Sequence, residues 1–254
     1  MPLPWTAKKQ ITFLLFFMIA AISAGIFVFL RVTAPTCFDG RQNQKEQGVD
    51  CGGPCAKECL GEIKDLVVLW SRPVKIADGK YDVVALAENR NLKLRSGKVG
   101  YVFKLYDERN ILIASREGST FANPGQKFAL FEEAVSTGAR VPARAYLEFG
   151  KNIKWELAKS EPPSLVVTGK NYDDSRGPAV SAIIANKSLQ DALNVRAVAV
   201  IYDFDGNAVA GSATVLERLK GGASEEVFFT WPEILEGERD SEEIFVRAES
   251  ASDF

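Results

Sequence analysis

VFKLYDERNILIAS at residues 102–115 and VAVIYDFDGNAVAGS at residues 198–212 are two copies of one stretch, and they decide the fold. The Tyr-Asp pairs within them begin at Tyr106 and Tyr202, which lie 96 residues apart. In both copies an apolar run ends at the Tyr-Asp pair and a short polar segment follows, which is typical of a hairpin turn between two strands. We interpret each aspartate as part of a turn, and the alternative role is contact with a ligand.

The residues around each Tyr-Asp pair support this interpretation. Apolar side chains recur at every second position before both pairs, and this period of two indicates strands rather than helices. An asparagine also ends an earlier apolar segment in each copy, as Asn89 and Asn186. The alternating residues are Val99, Tyr101, Phe103 and Leu105 in the first copy and Val195, Ala197, Ala199 and Ile201 in the second.

The duplication predicts an all-β body with two tandem immunoglobulin-like β-sandwiches, at residues 61–160 and 165–250. Strands separated by short turns, at roughly 90–100 residues per copy, are typical of such a sandwich. The consecutive prolines Pro162 and Pro163 interrupt strand pairing and stiffen a short connector, so the boundary is expected there.

The segment Phe103-Lys-Leu-Tyr-Asp107 resembles bacterial domains named for a Phe-x-Leu-Tyr-Asp motif, in which the Tyr-Asp pair precedes a hairpin turn. The second copy keeps Ile-Tyr-Asp and lacks the phenylalanine. The resemblance implies the β-fold only.

Residues 11–30, ITFLLFFMIAAISAGIFVFL, contain no charged side chain. Twenty helical residues rising ~1.5 Å each cross a hydrocarbon core of ~30 Å, whereas the apolar region of a signal peptide usually has only ~7–15 residues. We therefore predict a retained transmembrane helix over 11–30, with a cleaved signal peptide as the alternative.

The flanking charges predict the orientation of this helix. Lys8 and Lys9 precede it and Arg31 alone follows it directly, and positive charge is enriched on the cytoplasmic side of a membrane. Residues 1–10 are therefore expected in the cytoplasm, and the body of the chain is expected outside the cell membrane.

All four cysteines lie in a neck at residues 31–60, as Cys37, Cys51, Cys55 and Cys59. An even number of closely spaced cysteines in an exported chain predicts disulfides, here two. A structural zinc site is the alternative, but the spacing lacks a pair of Cys-x-x-Cys segments. Four cysteines allow three connectivities, and the sequence does not choose among them.

Oxygen-bearing side chains recur within the neck at Asp39, Asn43, Glu46 and Asp50, in steps of four, three and four. On a short helix they would point the same way and could bind calcium, which takes six to eight oxygen ligands. In the alternative interpretation, Asp39 caps a short helix that ends at Gly48, and the polar side chains face water. No cofactor other than this calcium ion is expected.

The run from Cys37-Phe-Asp-Gly40 to Asp50-Cys-Gly-Gly-Pro-Cys55 resembles a short cysteine module of secreted and surface proteins of bacteria, including the small-genome candidate phyla. Such modules usually accompany adhesive or carbohydrate-facing β-domains. Where the module commonly closes with Cys-x-x-Cys, this chain has Cys55-Ala-Lys-Glu-Cys59. The resemblance implies a surface location and no activity.

Composition excludes several classes of function. The chain has no histidine, which excludes Ser-His-Asp and Cys-His catalysis and histidine-based metal sites. Its 31 basic and 33 acidic residues give a net charge of −2, and no basic run indicates nucleic-acid binding.

We therefore expect a non-catalytic, membrane-anchored binding or scaffold protein with an extracytoplasmic protein or glycan partner. The alternative is a receptor-like or transport-accessory module that captures a small molecule or glycan, with an aromatic site at Tyr172 or Trp231. We interpret the tryptophans Trp70, Trp155 and Trp231 as core or sheet-face residues, because they lie within alternating apolar strands.

Overall fold

The computed structural model describes residues 5–32, 37–43, 45–55, 59, 63–173, 179–231 and 240–251. Parts of the predicted N-terminus and neck, namely residues 1–4, 33–36, 44, 56–58 and 60, lie outside the described residues. The chain divides into two compact units, Met1–Gly61 and Glu62–Phe254. The second unit is called the β-unit below.

The first unit begins with one long helix, α1 (Trp5–Val32). It contains the predicted span and extends beyond it toward the N-terminus, where Lys9 and Gln10 are good helix formers. The segment Lys9–Phe29 is long and apolar enough to cross a membrane, and none of it is buried inside the protein. A signal sequence near an N-terminus would meet the same criteria.

The β-unit consists of antiparallel strands. In the described residues these are β1 (Val67–Ala77), β2 (Lys80–Glu88), β3 (Leu94–Tyr106), β4 (Leu112–Ala122), β5 (Lys127–Ser136), β6 (Arg144–Phe149), β7 (Glu156–Leu157), β8 (Leu165–Asp173), β9 (Ala179–Asn186), β10 (Ala192–Tyr202), β11 (Ala208–Leu219), β12 (Ser224–Thr230) and β13 (Ser241–Ser250).

The sequence duplication corresponds to a duplication of topology. In the first repeat (β1–β7), the sheets have the orders β1-β2-β5 and β4-β3-β6, and the short β7 pairs with the start of β3. In the second repeat (β8–β13), the orders are β8-β9-β12 and β11-β10-β13. The strands β8 to β13 therefore occupy, in order, the places that β1 to β6 occupy in the first repeat.

Within each repeat the two sheets pack against each other over an apolar core. The core of the first repeat includes Phe103 of one sheet and Phe128 of the other, both fully buried. The core of the second repeat includes Val195 of the β11-β10-β13 sheet and Phe229 of the β8-β9-β12 sheet, and both are fully buried. The predicted alternation thus identifies one buried face of β3 and of β10.

In each repeat, the side chain of a buried asparagine forms hydrogen bonds that link the end of one sheet to the end of the other. The Asn89 Nδ2 donates to the carbonyls of Leu94 (2.9 Å) and Asn123 (2.7 Å). The Asn186 Nδ2 donates to the carbonyls of Gln190 (2.9 Å) and Leu219 (3.0 Å), in the corresponding loop and strand end of the second repeat. A repeated set of buried hydrogen bonds explains why both copies have asparagine, since a buried carbonyl without a donor is costly.

The two repeats also pack on each other, which the sequence does not indicate. The outer face of the β1-β2-β5 sheet lies on the outer face of the β11-β10-β13 sheet, so four sheets form a stack of layers. A third apolar cluster fills this contact, in which Val84 and Val200 are fully buried and the Trp70 and Tyr202 rings meet edge to face at 6.2 Å. We call this contact the repeat interface.

Arg247 of the second repeat crosses the repeat interface. Its guanidinium lies 4.5 Å from the ring centroid of Phe121 and 4.3 Å from that of Phe128, and it donates to the Phe121 carbonyl and the Thr120 hydroxyl. Burial lowers the pKa of Arg247 to about 9, so the side chain stays cationic at neutral pH. Asn123 adds a bond from its Nδ2 to the Ala248 carbonyl (2.9 Å).

A glycine permits a close approach of the repeats. A Cβ at Gly211 of β11 would lie 2.4 Å from Val84 Cγ2 and 3.1 Å from the Phe131 ring. Real side chains do not approach so closely, so a larger residue at this position requires its neighbours to shift.

Substitution Gly211→Ala is expected to destabilise the protein by about 1–3 kcal/mol, because overpacking a close contact displaces its neighbours. Gly100→Ala is the matched control, since a Cβ there meets nothing within 4 Å, and we expect a loss below about 0.5 kcal/mol. Denaturant unfolding of both variants measures the difference. Equal stability of the two variants would contradict the packing described at Gly211.

Candidate binding surfaces and the disulfide-bonded neck

The four cysteines form two disulfides, Cys37–Cys55 and Cys51–Cys59, with S–S distances of 2.01 and 2.04 Å. Glu46 lies beside Cys37 and Cys55 in an arrangement that resembles a metal-binding group. Both sulfurs are oxidised, however, and a disulfide does not supply the thiolate that zinc requires. The four cysteines therefore form disulfides and not the zinc site that was the alternative prediction.

The carboxylate of Asp50 organises the start of the neck. Its Oδ1 accepts a hydrogen bond from the backbone N–H of Asp39 (3.0 Å) and its Oδ2 accepts one from that of Gly40 (2.9 Å). Asp39 in turn accepts bonds from the N–H of Arg41 (2.9 Å) and from Asn43 Nδ2 (2.8 Å). Asp50 thus bonds residues ten and eleven positions away, whereas Asp39 closes a local turn.

Glu46 performs a similar role at the centre of the neck. It is buried, its Oε2 accepts from the N–H groups of Asn43 (3.1 Å) and Asp50 (3.3 Å), and its Oε1 lies 3.1 Å from Cys55 Sγ. A disulfide sulfur has no proton to donate, so the last distance is a packing contact. Asn43 Oδ1 is buried and accepts no hydrogen bond from a described residue.

The expected short helix from Asp39 to Gly48 is wrong for the described neck residues, which form turns and one isolated bridge between Gly48 and Cys51. Lys45 and Asp50 have positive φ, a conformation that ends a helix. Hydrogen bonds nevertheless join Asp39, Asn43, Glu46 and Asp50 in one group. Calcium binding by these four residues stays a prediction, and an ion there would share oxygens that already accept bonds from N–H groups.

Both Tyr-Asp aspartates close hairpin turns. Asp107 Oδ1 accepts from the N–H groups of Arg109 (3.0 Å) and Ile111 (2.9 Å). Asp203 Oδ1 accepts from those of Asp205 (3.0 Å) and Asn207 (2.7 Å), and these hydrogen bonds with Asn207 and Asp205 hold the pKa of Asp203 below its usual value. The turn interpretation of the motif is consistent with these contacts.

Among Tyr172, Trp70, Trp155 and Trp231, only Trp231 is buried, and the other three are partly buried against apolar clusters. Trp231 is buried and its Nε1 donates to the Gly211 carbonyl (2.8 Å), while Tyr172 packs against the core of the second repeat. Trp155 packs against the core of the first repeat, and Trp70 lies in the repeat interface. Each of these four rings thus contacts an apolar cluster, and capture at Tyr172 or Trp231 stays a prediction.

An apolar stripe crosses the outer face of the β8-β9-β12 sheet instead. Ile183 at the centre pairs with Thr168 and Glu226, so Val166 and Phe228 are its diagonal neighbours on the same face. The exposed fractions are 39% for Val166 and Ile183 and 58% for Phe228. The sequence pattern did not single out this stripe, although three outward apolar residues on neighbouring strands were a usable signal.

The opposite outer face, on the β4-β3-β6 sheet, is more polar. Tyr106 and Tyr146 meet edge to face at 5.6 Å, and Tyr146 is exposed. Lys104 Nζ pairs with Glu148 Oε2 at 2.6 Å beside them. Aromatic rings next to charged groups suit a polar ligand better than an apolar protein surface.

Comparison with known proteins does not identify a relative. No protein-family model and no curated protein matches the chain. Among solved structures, a serine-to-alanine mutant of Bacillus subtilis oxalate decarboxylase aligns with 10% identity and a TM-score of 0.11, covering 74% of this chain and 80% of that chain. A glutamate-to-alanine mutant of the same enzyme aligns with 9% identity and a TM-score of 0.10, with the same coverage of both chains. These TM-scores are too low to carry an argument about fold or function.

Substitution Asp50→Asn is expected to speed the reduction of the neck disulfides by dithiothreitol. The variant loses a charged acceptor for two N–H groups, and such hydrogen bonds contribute about 1.5–3 kcal/mol each. Alkylation and mass spectrometry measure the rate, and Asp65→Asn, an exposed aspartate outside the neck, is the matched control. A rate equal to that of the control would contradict the role given to Asp50.

The calcium prediction is tested in the same assay. Millimolar calcium should slow reduction of the wild-type disulfides and leave Asp50→Asn unchanged, because ligand binding stabilises the folded neck. If the wild-type rate is the same with calcium and with chelator, calcium binding at Asp39, Asn43, Glu46 and Asp50 is refuted.

Proposed function

We propose that this chain is a single-pass membrane protein whose β-unit binds another protein outside the cytoplasm, without catalysis. The apolar stripe of Val166, Ile183 and Phe228 is the observation that carries the proposal. Contiguous exposed apolar side chains are a feature of surfaces that contact other proteins.

We further infer that each repeat is an immunoglobulin-like β-sandwich. Two antiparallel sheets over one core, repeated with the same strand order, support this inference. Such domains commonly serve as rigid binding modules, and the repeat interface would hold the two modules in one orientation.

The proposed location outside the cytoplasm has two supports. The positive charges before the apolar segment favour a cytoplasmic N-terminus. The two disulfides are stable in an oxidising compartment and rare in the cytosol. An apolar helix with an exported, disulfide-bonded neck is the arrangement expected of a surface or envelope protein.

Capture of a glycan is the second candidate function, and the ring pair of half-buried Tyr106 and exposed Tyr146 favours it. Aromatic faces stack on sugar rings, and the neighbouring Lys104, Arg144 and Glu148 could bind hydroxyl groups. This site would lie on the outer sheet of the first repeat, away from Tyr172 and Trp231.

Cross-linking in cells that express the full-length protein tests both functions, with a chain containing only the anchor as background. We expect a discrete partner protein whose cross-links are lost in Phe228→Asp, because loss of a hot-spot residue costs an interface about 2 kcal/mol or more and Phe228 is the largest and most exposed residue of the stripe. Tyr146→Asp, on the opposite outer face, is the matched control and should retain the cross-links.

Loss of glycan adducts in Tyr146→Asp, with Phe228→Asp unchanged, would support the second candidate and contradict the first. No cross-link above the anchor-only background would contradict both functions.

A further inference from the structure

One exposed loop is repeated in the two halves of the β-unit. Asn89–Lys93 reads Asn-Arg-Asn-Leu-Lys and Asn186–Gln190 reads Asn-Lys-Ser-Leu-Gln. The leucines at the equivalent position, Leu92 and Leu189, are 82% and fully exposed, respectively. The neighbouring buried asparagine fixes each loop, so exposure of the leucine follows from the ordered fold.

Both leucine loops lie at the same end of the β-unit. The connector between the repeats begins at Ala158, whose N–H donates to the Lys93 carbonyl (2.9 Å). It ends at Ser164, whose N–H donates to Ser188 Oγ (2.7 Å). Six residues span at most ~20 Å, so the two leucine loops are separated by no more than about that distance at their bases.

The chain also enters the β-unit at this end. The backbone of Lys64 exchanges two hydrogen bonds with the Asn91 side chain, at 2.8 and 2.7 Å. Lys64 follows the neck closely, and the Cys37–Cys55 disulfide bypasses most of the neck between it and α1. We call this end, with its two leucine loops, the entry end.

Charge differs between these loops and the turns at the other end. The leucine loops carry Lys93, Lys187 and Arg90 and contain no acidic residue, and Arg90 pairs with Glu88 at the preceding strand end (3.0 Å). Strand β3, about 40 Å long, separates the first loop from the turn at the other end, 107–111. That turn and its equivalent at 203–207 together carry four acidic residues and one arginine.

We propose that the entry end docks on the surface of an anionic lipid bilayer, with Leu92 and Leu189 inserted among the lipids and Lys93 and Lys187 beside phosphate groups. This inference rests on the proposed membrane anchor, since the entry end is the part of the β-unit that the chain reaches first after the anchor and the neck. Exposed leucines flanked by basic residues match an anionic interface, where apolar side chains enter the lipid and cations stay at the headgroups. The acidic turns then face away from the membrane.

Docking fixes the direction in which the β-unit presents its faces. Both outer sheets, including the stripe at Phe228, run away from the entry end and stay open to partners. Two leucine loops rather than one also prevent the β-unit from pivoting on a single contact.

Hydrogen exchange of the full-length protein in lipid nanodiscs tests the proposal. Phosphatidylcholine nanodiscs with and without phosphatidylglycerol are compared. We expect the loops at 89–93 and 186–190 to exchange several-fold more slowly with the anionic lipid, whereas the turns at 107–111 and 203–207 stay unchanged. Protection of β3 and β10 in the same data verifies that each sample is folded.

Two variants complete the test. Lys93→Glu combined with Lys187→Glu should abolish the lipid-dependent protection, and Arg109→Glu, at the opposite end, should leave it intact. Equal exchange in both lipids in a protein that enters nanodiscs would overturn docking and leave the anchored function standing. Failure of the protein to enter nanodiscs would overturn the anchor and docking with it.

Discussion

Contact between the outer faces of two sheets determines the structure of the β-unit. Strands β2 and β10 are covered on both sides, because one face lies in its own repeat and the other lies in the repeat interface. The buried guanidinium of Arg247 is the most demanding part of this contact. Its two acceptors and two aromatic rings offset the loss of hydration, and all four groups belong to the first repeat.

The repeat interface holds the two repeats in one relative orientation, so their outer faces are presented together. Two domains connected only by residues 158–164 would sample many orientations. Buried contacts between them keep the stripe at Phe228 and the tyrosine pair at Tyr146 on opposite outer faces. If the entry end docks as proposed, a partner on one outer face and the membrane would be held in a defined geometry.

Local features of the fold were predictable from the sequence, because local chemistry determines them. The Tyr-Asp turns and the alternating strands follow from residues that act on their sequence neighbours, and the repeated Asn89 and Asn186 were visible as a duplication although half of their bonds are long-range. The repeat interface was not predictable, since Val84 and Val200 have the same apolar character as residues facing a core. Only the three-dimensional arrangement distinguishes the two faces.

The neck illustrates the same limit. Steps of four, three and four among its oxygen-bearing residues indicated one group, and hydrogen bonds do join them, but the same steps suggested a helix. The structure has turns there because Asp50 binds N–H groups about ten residues away and two disulfides cross the segment. Bonds between residues that are far apart in the sequence leave no periodic pattern from which they could be predicted.

Cooperativity of unfolding tests the central claim, that the repeat interface makes one folded body of two repeats. Hydrogen exchange of the full-length protein is measured across a series of denaturant concentrations, with peptides from β3 for the first repeat and β10 for the second. Our account predicts that both sets of amides lose protection at the same denaturant concentration. Loss of protection in one repeat while the other stays fully protected would contradict it.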